Sequence, residues 1–194
     1  MNSTIDPSKL IILDRDGVIN QDSDHYIKSL DEWIAYPSSL KAIARLNEAG
    51  VKVAIATNQS GVSRGFFSEE TLHLMHEKLE ALLKDVGGHI DAIEYCIDHP
   101  DKATTRRKPG PDMVNKLLSD FKQTANTTWF VGDSKSDIDC ALNAGCLPLF
   151  PARNQRFAFH PESRPDWLKF LNLFLTTPHC RTAPNTTPSS PPPF

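Results

Sequence analysis

The chain lacks any apolar run of about 18 residues, so no membrane span is expected along its 194 residues. It lacks a basic excess as well. Its 21 Lys and Arg stand against 24 Asp and Glu, a net charge of −3, which gives no field for nucleic acid. The one basic run, Arg106-Arg107-Lys108, is too short for a nucleic-acid stripe and suits a single phosphate. Cysteine is scarce: Cys96, Cys140, Cys146 and Cys180 show no framework spacing, and free thiols in a reducing cytoplasm are the simplest account. The first residues have neither a basic nor an apolar leader pattern, so secretion is not expected. Internal repeats are absent. What remains is the length and hydrophobic content, 39%, of one layered domain, expected over residues 1–176.

Short β-branched runs alternate with helical patterns. Strands are expected at Lys9 to Leu13, Val51 to Thr57, Ala92 to Ile97, Thr128 to Gly132 and Cys146 to Phe150, the last at an edge because of Pro148. Helices are expected from Pro37 to Ala49, Ser68 to Val86, Pro111 to Phe121 and Ser134 to Ala144. Ser68 is the N-cap of the second, with Glu69 and Glu70 in its first turn, and Pro111 takes a first helical position in the third. The alternation predicts an α/β fold: a Rossmann-like three-layer sandwich with a parallel sheet and helices on both faces. Gly17 to Tyr36 has no periodicity and reads as a long functional loop. Asp166 to Leu175 reads as a short terminal helix. Residues 177–194 form a Pro-rich tail expected to be disordered, with six prolines among the seventeen residues from Pro178.

The strand ends carry the chemistry. Asp14-Arg15-Asp16-Gly17 follows the first strand, where open α/β sheets bind ligands. Alone, Asp-x-Asp-Gly is equally a polar turn, a metal site or an acid/nucleophile pair. The second strand ends at Thr57-Asn58-Gln59-Ser60-Gly61, an ordinary strand-to-helix cap when taken by itself. Arg107-Lys108-Pro109 follows the third, and Gly132-Asp133 with Asp137 follows the fourth, where Asp133 alone could be an N-cap. Parallel topology brings the four ends together, and phosphoryl transfer to a carboxylate needs such a set. Asp14 would attack phosphorus. Mg²⁺, held by Asp14, Asp133 and the backbone carbonyl of Asp16, would neutralise nucleophile and phosphate. Asp16 would act as acid and then base. Thr57 and Lys108 would hold the phosphoryl oxygens, and Asp137 would orient the metal's water or Lys108.

These four segments resemble the motifs of the haloacid dehalogenase superfamily of phosphatases. More closely, Asp14-Arg15-Asp16-Gly17-Val18-Ile19-Asn20, Thr57-Asn58-Gln59-Ser60-Gly61-Val62 with Arg64-Gly65, and Arg107-Lys108-Pro109 resemble the D-glycero-D-manno-heptose-1,7-bisphosphate 7-phosphatase family over Lys9 to Phe150. The resemblance implies a fold with no large cap domain and a phosphorylated sugar as substrate. It implies a role in making the heptose of lipopolysaccharide core or S-layer glycan. Asp14 is then the nucleophile and Asp16 the proton donor. Thr57 and Lys108 steady the phosphoryl group, and Arg107 recognises the distal part of the substrate. Asp24, Tyr26, Asn58, Gln59 and Ser60 are further substrate contacts by the same resemblance, while Arg64 is either an anion contact or a surface charge. One segment departs from the family pattern. Many members carry a zinc knuckle before Arg-Lys-Pro, but here Asp98 stands at the His position and the distal cysteines are missing, leaving Cys96 and His99. One thiolate and His99 cannot complete a tetrahedral site, so structural zinc is not expected. Histidinol-phosphate phosphatase is the nearest rival, weakly disfavoured by Arg107. A phosphoacceptor receiver domain and a catalytically silent binding module are the other classes; Asp16 argues against the first, and the intact set of acid, metal and lysine positions against the second. A monomer is expected.

Overall fold

The computed structural model describes residues 10–149, and the expected terminal helix, the Pro-rich tail and Cys180 lie outside them. Five strands, β1 (Leu10–Leu13), β2 (Lys52–Asn58), β3 (Ala92–Cys96), β4 (Trp129–Val131) and β5 (Leu147–Leu149), form one sheet in the order β3-β2-β1-β4-β5. Every pairing is parallel. Four α-helices connect them: α1 (Pro37–Glu48), α2 (Glu69–Asp85), α3 (Asp112–Asp120) and α4 (Lys135–Asn143). This is the expected three-layer sandwich, with β5 and its Pro148 at an edge, where the missing N–H costs no ladder bond.

Alternation along the strands divides the core. Ile11, Leu13, Val53, Ile55 and Val131 join Leu40, Ile43 and Leu46 of α1 and Met75, Leu79 and Leu83 of α2 in one layer. Leu10, Ile12, Ala54, Ala56 and Phe130 join Met113, Val114 and Leu117 of α3 and Cys140 and Ala141 of α4 in the other. Successive strand residues face opposite sides, so a sheet buried on both faces reads as an unbroken apolar run.

Helix starts follow local chemistry with two corrections. Pro37 opens α1, and Ser68 caps α2, its Oγ accepting from Thr71 N at 3.2 Å. Pro111 is the N-cap of α3 rather than a helical residue. Ser134, not Asp133, caps α4: Ser134 Oγ accepts from Asp137 N, while the Asp137 carboxylate accepts from Ser134 N.

The stretch between β1 and α1 is more ordered than its lack of periodicity implies. Isolated bridges pair Asn20 with Asp16 and with Ala35. Val18, Ile19, Ile27 and Trp33 are buried in the α1–α2 layer. Ser39 Oγ donates to Val18 O at 2.7 Å, and Lys78 Nζ on α2 donates to Leu30 O at 2.6 Å and Trp33 O at 2.9 Å. The loop is thus fastened to the domain by an indole and an ammonium. Truncating Trp33, which is fully buried, is expected to cost about 3–5 kcal/mol. Urea unfolding of Trp33→Ala checks this, and a loss below about 1 kcal/mol would contradict the anchoring role.

Candidate active site

At the carboxyl edge of the sheet the strand ends converge on one cleft of about 280 Å³. Asp14, Asp16, Thr57, Asn58, Gln59, Ser60, Arg107, Lys108, Asp133 and Asp137 line it, as do Asp22, Ser23 and Tyr26 of the first loop.

Lys108 stands at its centre. The side chain is buried, and Nζ lies 2.8 Å from Asp14 Oδ1, 2.6 Å from Asp137 Oδ1 and 2.9 Å from the Ala56 carbonyl oxygen. Of the two roles open to Asp137, the structure shows the one that orients Lys108. Its other oxygen accepts from Ser134 N at 2.9 Å and Ser134 Oγ at 2.6 Å. The Lys108 backbone is gripped by Asn58, whose Oδ1 accepts from Lys108 N and whose Nδ2 donates to Lys108 O, both at 3.0 Å. Asn58 therefore lines the cleft, but its amide is spent on positioning Lys108 rather than on substrate.

Asp14, Asp133 and Asp137 offer carboxylate oxygens within 4.8 Å of one another. This is the one group of three or more His, Cys, Asp or Glu among the described residues with such spacing. Two glycines let the carboxylates approach. A Cβ on Gly17, whose φ is +75°, would sit 2.0 Å from Asp133 Oδ2. A Cβ on Gly132 would sit 2.1 Å from Asp137 Cβ. Three carboxylates face one ammonium in a poorly solvated cleft, which suits a divalent cation held by hard oxygens. Asp137 is occupied by Lys108 and Ser134, leaving Asp14 and Asp133 as the fitting ligands.

Asp16 sits differently from Asp14. Its carboxylate accepts from Arg15 Nε at 3.1 Å, Arg15 Nη2 at 2.9 and 3.0 Å, Asn20 Nδ2 at 2.8 Å and Gln59 Nε2 at 2.8 Å. Gln59 also donates to Thr57 Oγ1 at 3.0 Å and accepts from Arg15 Nη2 at 3.0 Å. The Gln59 side chain is thus committed to Asp16, Thr57 and Arg15, not poised for substrate. Arg15 and Asn20 were absent from the expected site. Both lie within the Asp14-to-Asn20 segment, and the signal was a charged Arg locked between two acids. Tyr26, in the left-handed region at φ 63°, lies 4.9 Å from the Phe66 ring, with the Arg64 guanidinium 5.8 Å over its face. Arg64 and Asp24 do not line the cleft. Asp24 borders a neighbouring depression with His25, Tyr26, Lys28 and Phe66, and Asp22 and Ser23 take the place expected for it.

Burial and the Asp137 charge push the Asp14 carboxyl up to about 7 against the pull of Lys108. Burial, with Asp137 and Asp22, raises Asp133 to about 6. Burial opposes the charge on Lys108, yet Asp14 and Asp137 more than offset it and raise its pKa. For Asp16, burial is outweighed by Arg15, Asn20 and Gln59, which hold it below the usual carboxylate range.

The family of haloacid dehalogenase-like hydrolases matches residues 8–145. A D-glycero-beta-D-manno-heptose-1,7-bisphosphate 7-phosphatase of Pseudomonas putida is 49% identical over 141 residues, 73% of this chain and 81% of that protein. One from Neisseria meningitidis serogroup B is 39% identical over 186 residues, 94% of this chain and 99% of that protein. The crystal structure of D,D-heptose 1,7-bisphosphate phosphatase from B. bronchiseptica, complexed with magnesium and phosphate, superposes with a TM-score of 0.71. It is 49% identical and covers 72% of this chain and 78% of its own.

Raised carboxyl pKa values have a consequence for stability. Asp14 and Asp133 hold protons more tightly in the folded state, so their ionisation destabilises the fold as pH climbs from about 4 through about 7. His76, depressed to about 4 by burial and Arg15, works in the opposite direction between about 4 and 6.5. The clean readout is therefore the cation-dependent increment. Mg²⁺ is expected to raise the melting temperature of metal-free protein more at pH 8 than at pH 5, and scanning calorimetry at both values checks this. Equal increments would contradict the assignment of Asp14 and Asp133 as ligands.

Proposed function

The chain belongs to the haloacid dehalogenase-like hydrolases and, among them, to the D-glycero-D-manno-heptose-1,7-bisphosphate 7-phosphatase family, and from that footing we propose that it removes the 7-phosphate of D-glycero-D-manno-heptose 1,7-bisphosphate. One observation carries the reading: the Asp14 carboxylate shares a buried corner with Lys108 and Asp133, in a cleft whose outer wall includes Arg107. By the same reading the enzyme works as a cytoplasmic monomer in the making of nucleotide-activated heptose for lipopolysaccharide core.

Asp14 and Asp133 would hold Mg²⁺, with the Asp16 carbonyl as a further oxygen. Bound there, the ion supplies charge neutralisation between carboxylate and phosphate dianion. The residues of the chain account for the rest. Arg15 N donates to Asp14 Oδ1 at 2.7 Å, and Lys108 Nζ bonds the same oxygen, so Oδ2 is the atom left to attack phosphorus. The attack breaks the bond to the sugar oxygen and leaves an aspartyl-phosphate on Asp14. Lys108 then balances the charge spreading over the phosphoryl oxygens. Because Gln59 donates to Thr57 Oγ1, the Thr57 hydroxyl hydrogen is left to point at a phosphoryl oxygen. Asp16 gives its proton to the departing sugar oxygen and recovers one from the water that opens the aspartyl-phosphate. Its donors Arg15, Asn20 and Gln59 favour the ionised form, which suits the second half, and the first half requires that grip to loosen once substrate is in place. Arg107 offers a planar fork to the distal phosphate.

Asp14→Asn is expected to abolish phosphate release, and Asp16→Asn to lower kcat by about 10²–10⁴-fold. Mg²⁺-dependent phosphate release from both anomers of the heptose bisphosphate, histidinol phosphate and fructose bisphosphate checks the substrate. Normal turnover by Asp14→Asn would overturn the mechanism. A preference for histidinol phosphate would overturn the substrate but leave the chemistry standing.

A further inference from the structure

The loop from Ile97 to Pro111, between β3 and α3, presents both Arg107 and Lys108 to the cleft. Asn58 fixes Lys108 from β2. Arg107 receives no such grip from the sheet. Its support runs through two residues that line no part of the cleft, Asp98 and Thr104.

Thr104 is the hub. Its backbone N donates to Asp98 Oδ2 at 2.9 Å and its hydroxyl donates to the same oxygen at 2.6 Å. The hydroxyl oxygen accepts from Arg106 N at 3.2 Å, and the Thr104 carbonyl accepts from Arg107 N at 3.2 Å. Arg107 closes the circuit, its Nη1 donating to the Asp98 carbonyl oxygen at 3.2 Å. Asp98 therefore holds Arg107 from both ends, through its carbonyl at the guanidinium and through Thr104 at the backbone. The carboxylate is held below its ordinary pKa by the two Thr104 donors, so both bonds are charge-assisted at neutral pH. Arg106 adds an outer brace, with Nη2 donating to Glu94 Oε2 at 2.6 Å and to Tyr95 O at 3.1 Å.

We infer that the Asp98–Thr104 clasp is a positioning device for substrate selectivity: it orders Arg107 for the distal phosphate and has no part in cleaving the proximal one. The inference deepens the reading above and rests on its assignment of Arg107. A long, rotamer-rich side chain loses much of its binding contribution when it must be immobilised on each encounter, and pre-ordering removes that cost. The clasp is local, joining two residues six apart in the same loop, so its loss leaves the sheet and the Lys108 corner in place.

Thr104→Val keeps the backbone donor and removes the hydroxyl, and Asp98→Ala removes the shared acceptor. Each is expected to raise KM for the heptose bisphosphate roughly five- to tenfold with kcat little changed. Hydrolysis of p-nitrophenyl phosphate, which has no distal phosphate, is expected to stay within about twofold, and Thr104→Ser to restore the wild-type KM. Arg107→Ala supplies the reference, and a double-mutant cycle of Thr104→Val with Arg107→Ala tests the route of action. No further rise in KM in the double variant supports the clasp. A full additional rise shows that Thr104 acts elsewhere and overturns it. An unchanged KM in Thr104→Val beside a raised KM in Arg107→Ala overturns the clasp alone. An unchanged KM in Arg107→Ala overturns the assignment of Arg107 and the clasp with it.

Discussion

The buried ammonium of Lys108 is the constraint on which the site depends. Removing a charge from water is costly, and it is tolerated only where partners replace the lost hydration. Here Asp14 Oδ1, Asp137 Oδ1 and the Ala56 carbonyl oxygen do so. Each partner belongs to a different part of the fold: the end of β1, the first turn of α4 and the interior of β2. One cation therefore locks three elements into a common register. It also dictates small residues nearby, since Asp137 reaches Lys108 only because Gly132 leaves its backbone uncovered.

The same arrangement separates two carboxylates that stand two residues apart. Asp14 faces Lys108, Asp133 and Asp137 and is pushed toward neutrality by burial. Asp16 faces Arg15, Asn20 and Gln59 and is pushed toward ionisation. Their environments differ because both follow the end of β1, where the strand no longer sends residues two apart to the same side. Arg15 turns back under the loop, where it is almost fully buried, and supplies the charge that sets Asp16 apart. A sequence of alternating acid, base and acid thus encodes two chemical identities that the letters alone do not distinguish.

The fold was legible because its signals are local. Four- to seven-residue apolar runs, Ser68 before Glu69, and Pro37 at a helix start each report their own neighbourhood. The positions of Asp14, Thr57, Lys108 and Asp133 were legible for a related reason: parallel topology sends every strand end to the same edge. Long-range partnerships were not legible. Asn58 looked like a substrate contact, and only the packing of β2 against the Lys108 loop shows its amide turned to the backbone of Lys108. Asp24 and Tyr26 looked equivalent in an aperiodic loop, yet the buried Trp33 and Ile27 set the path of that loop and leave Asp24 outside the cleft. Pro111 sits at the cap of α3, one residue outside the first helical position expected for it, and the cap of α4 is Ser134, one residue after Asp133, a shift expected where neighbouring residues can both end a helix.

The sheet order β3-β2-β1-β4-β5 places β4 beside β1, although 115 residues lie between Leu13 at the end of β1 and Trp129 at the start of β4. During synthesis Asp14, the proposed nucleophile, emerges early, and Lys108 and the last carboxylates, Asp133 and Asp137, emerge later in the described domain. Pairing of β4 with β1 closes the longest loop in the sheet, the slowest kind of contact to form. A nascent or half-folded chain consequently carries Asp14 with neither Lys108 nor Asp133 beside it. The corner of Asp14, Lys108, Asp133 and Asp137 is complete only with the last strands, so its assembly itself reports that the sheet has closed.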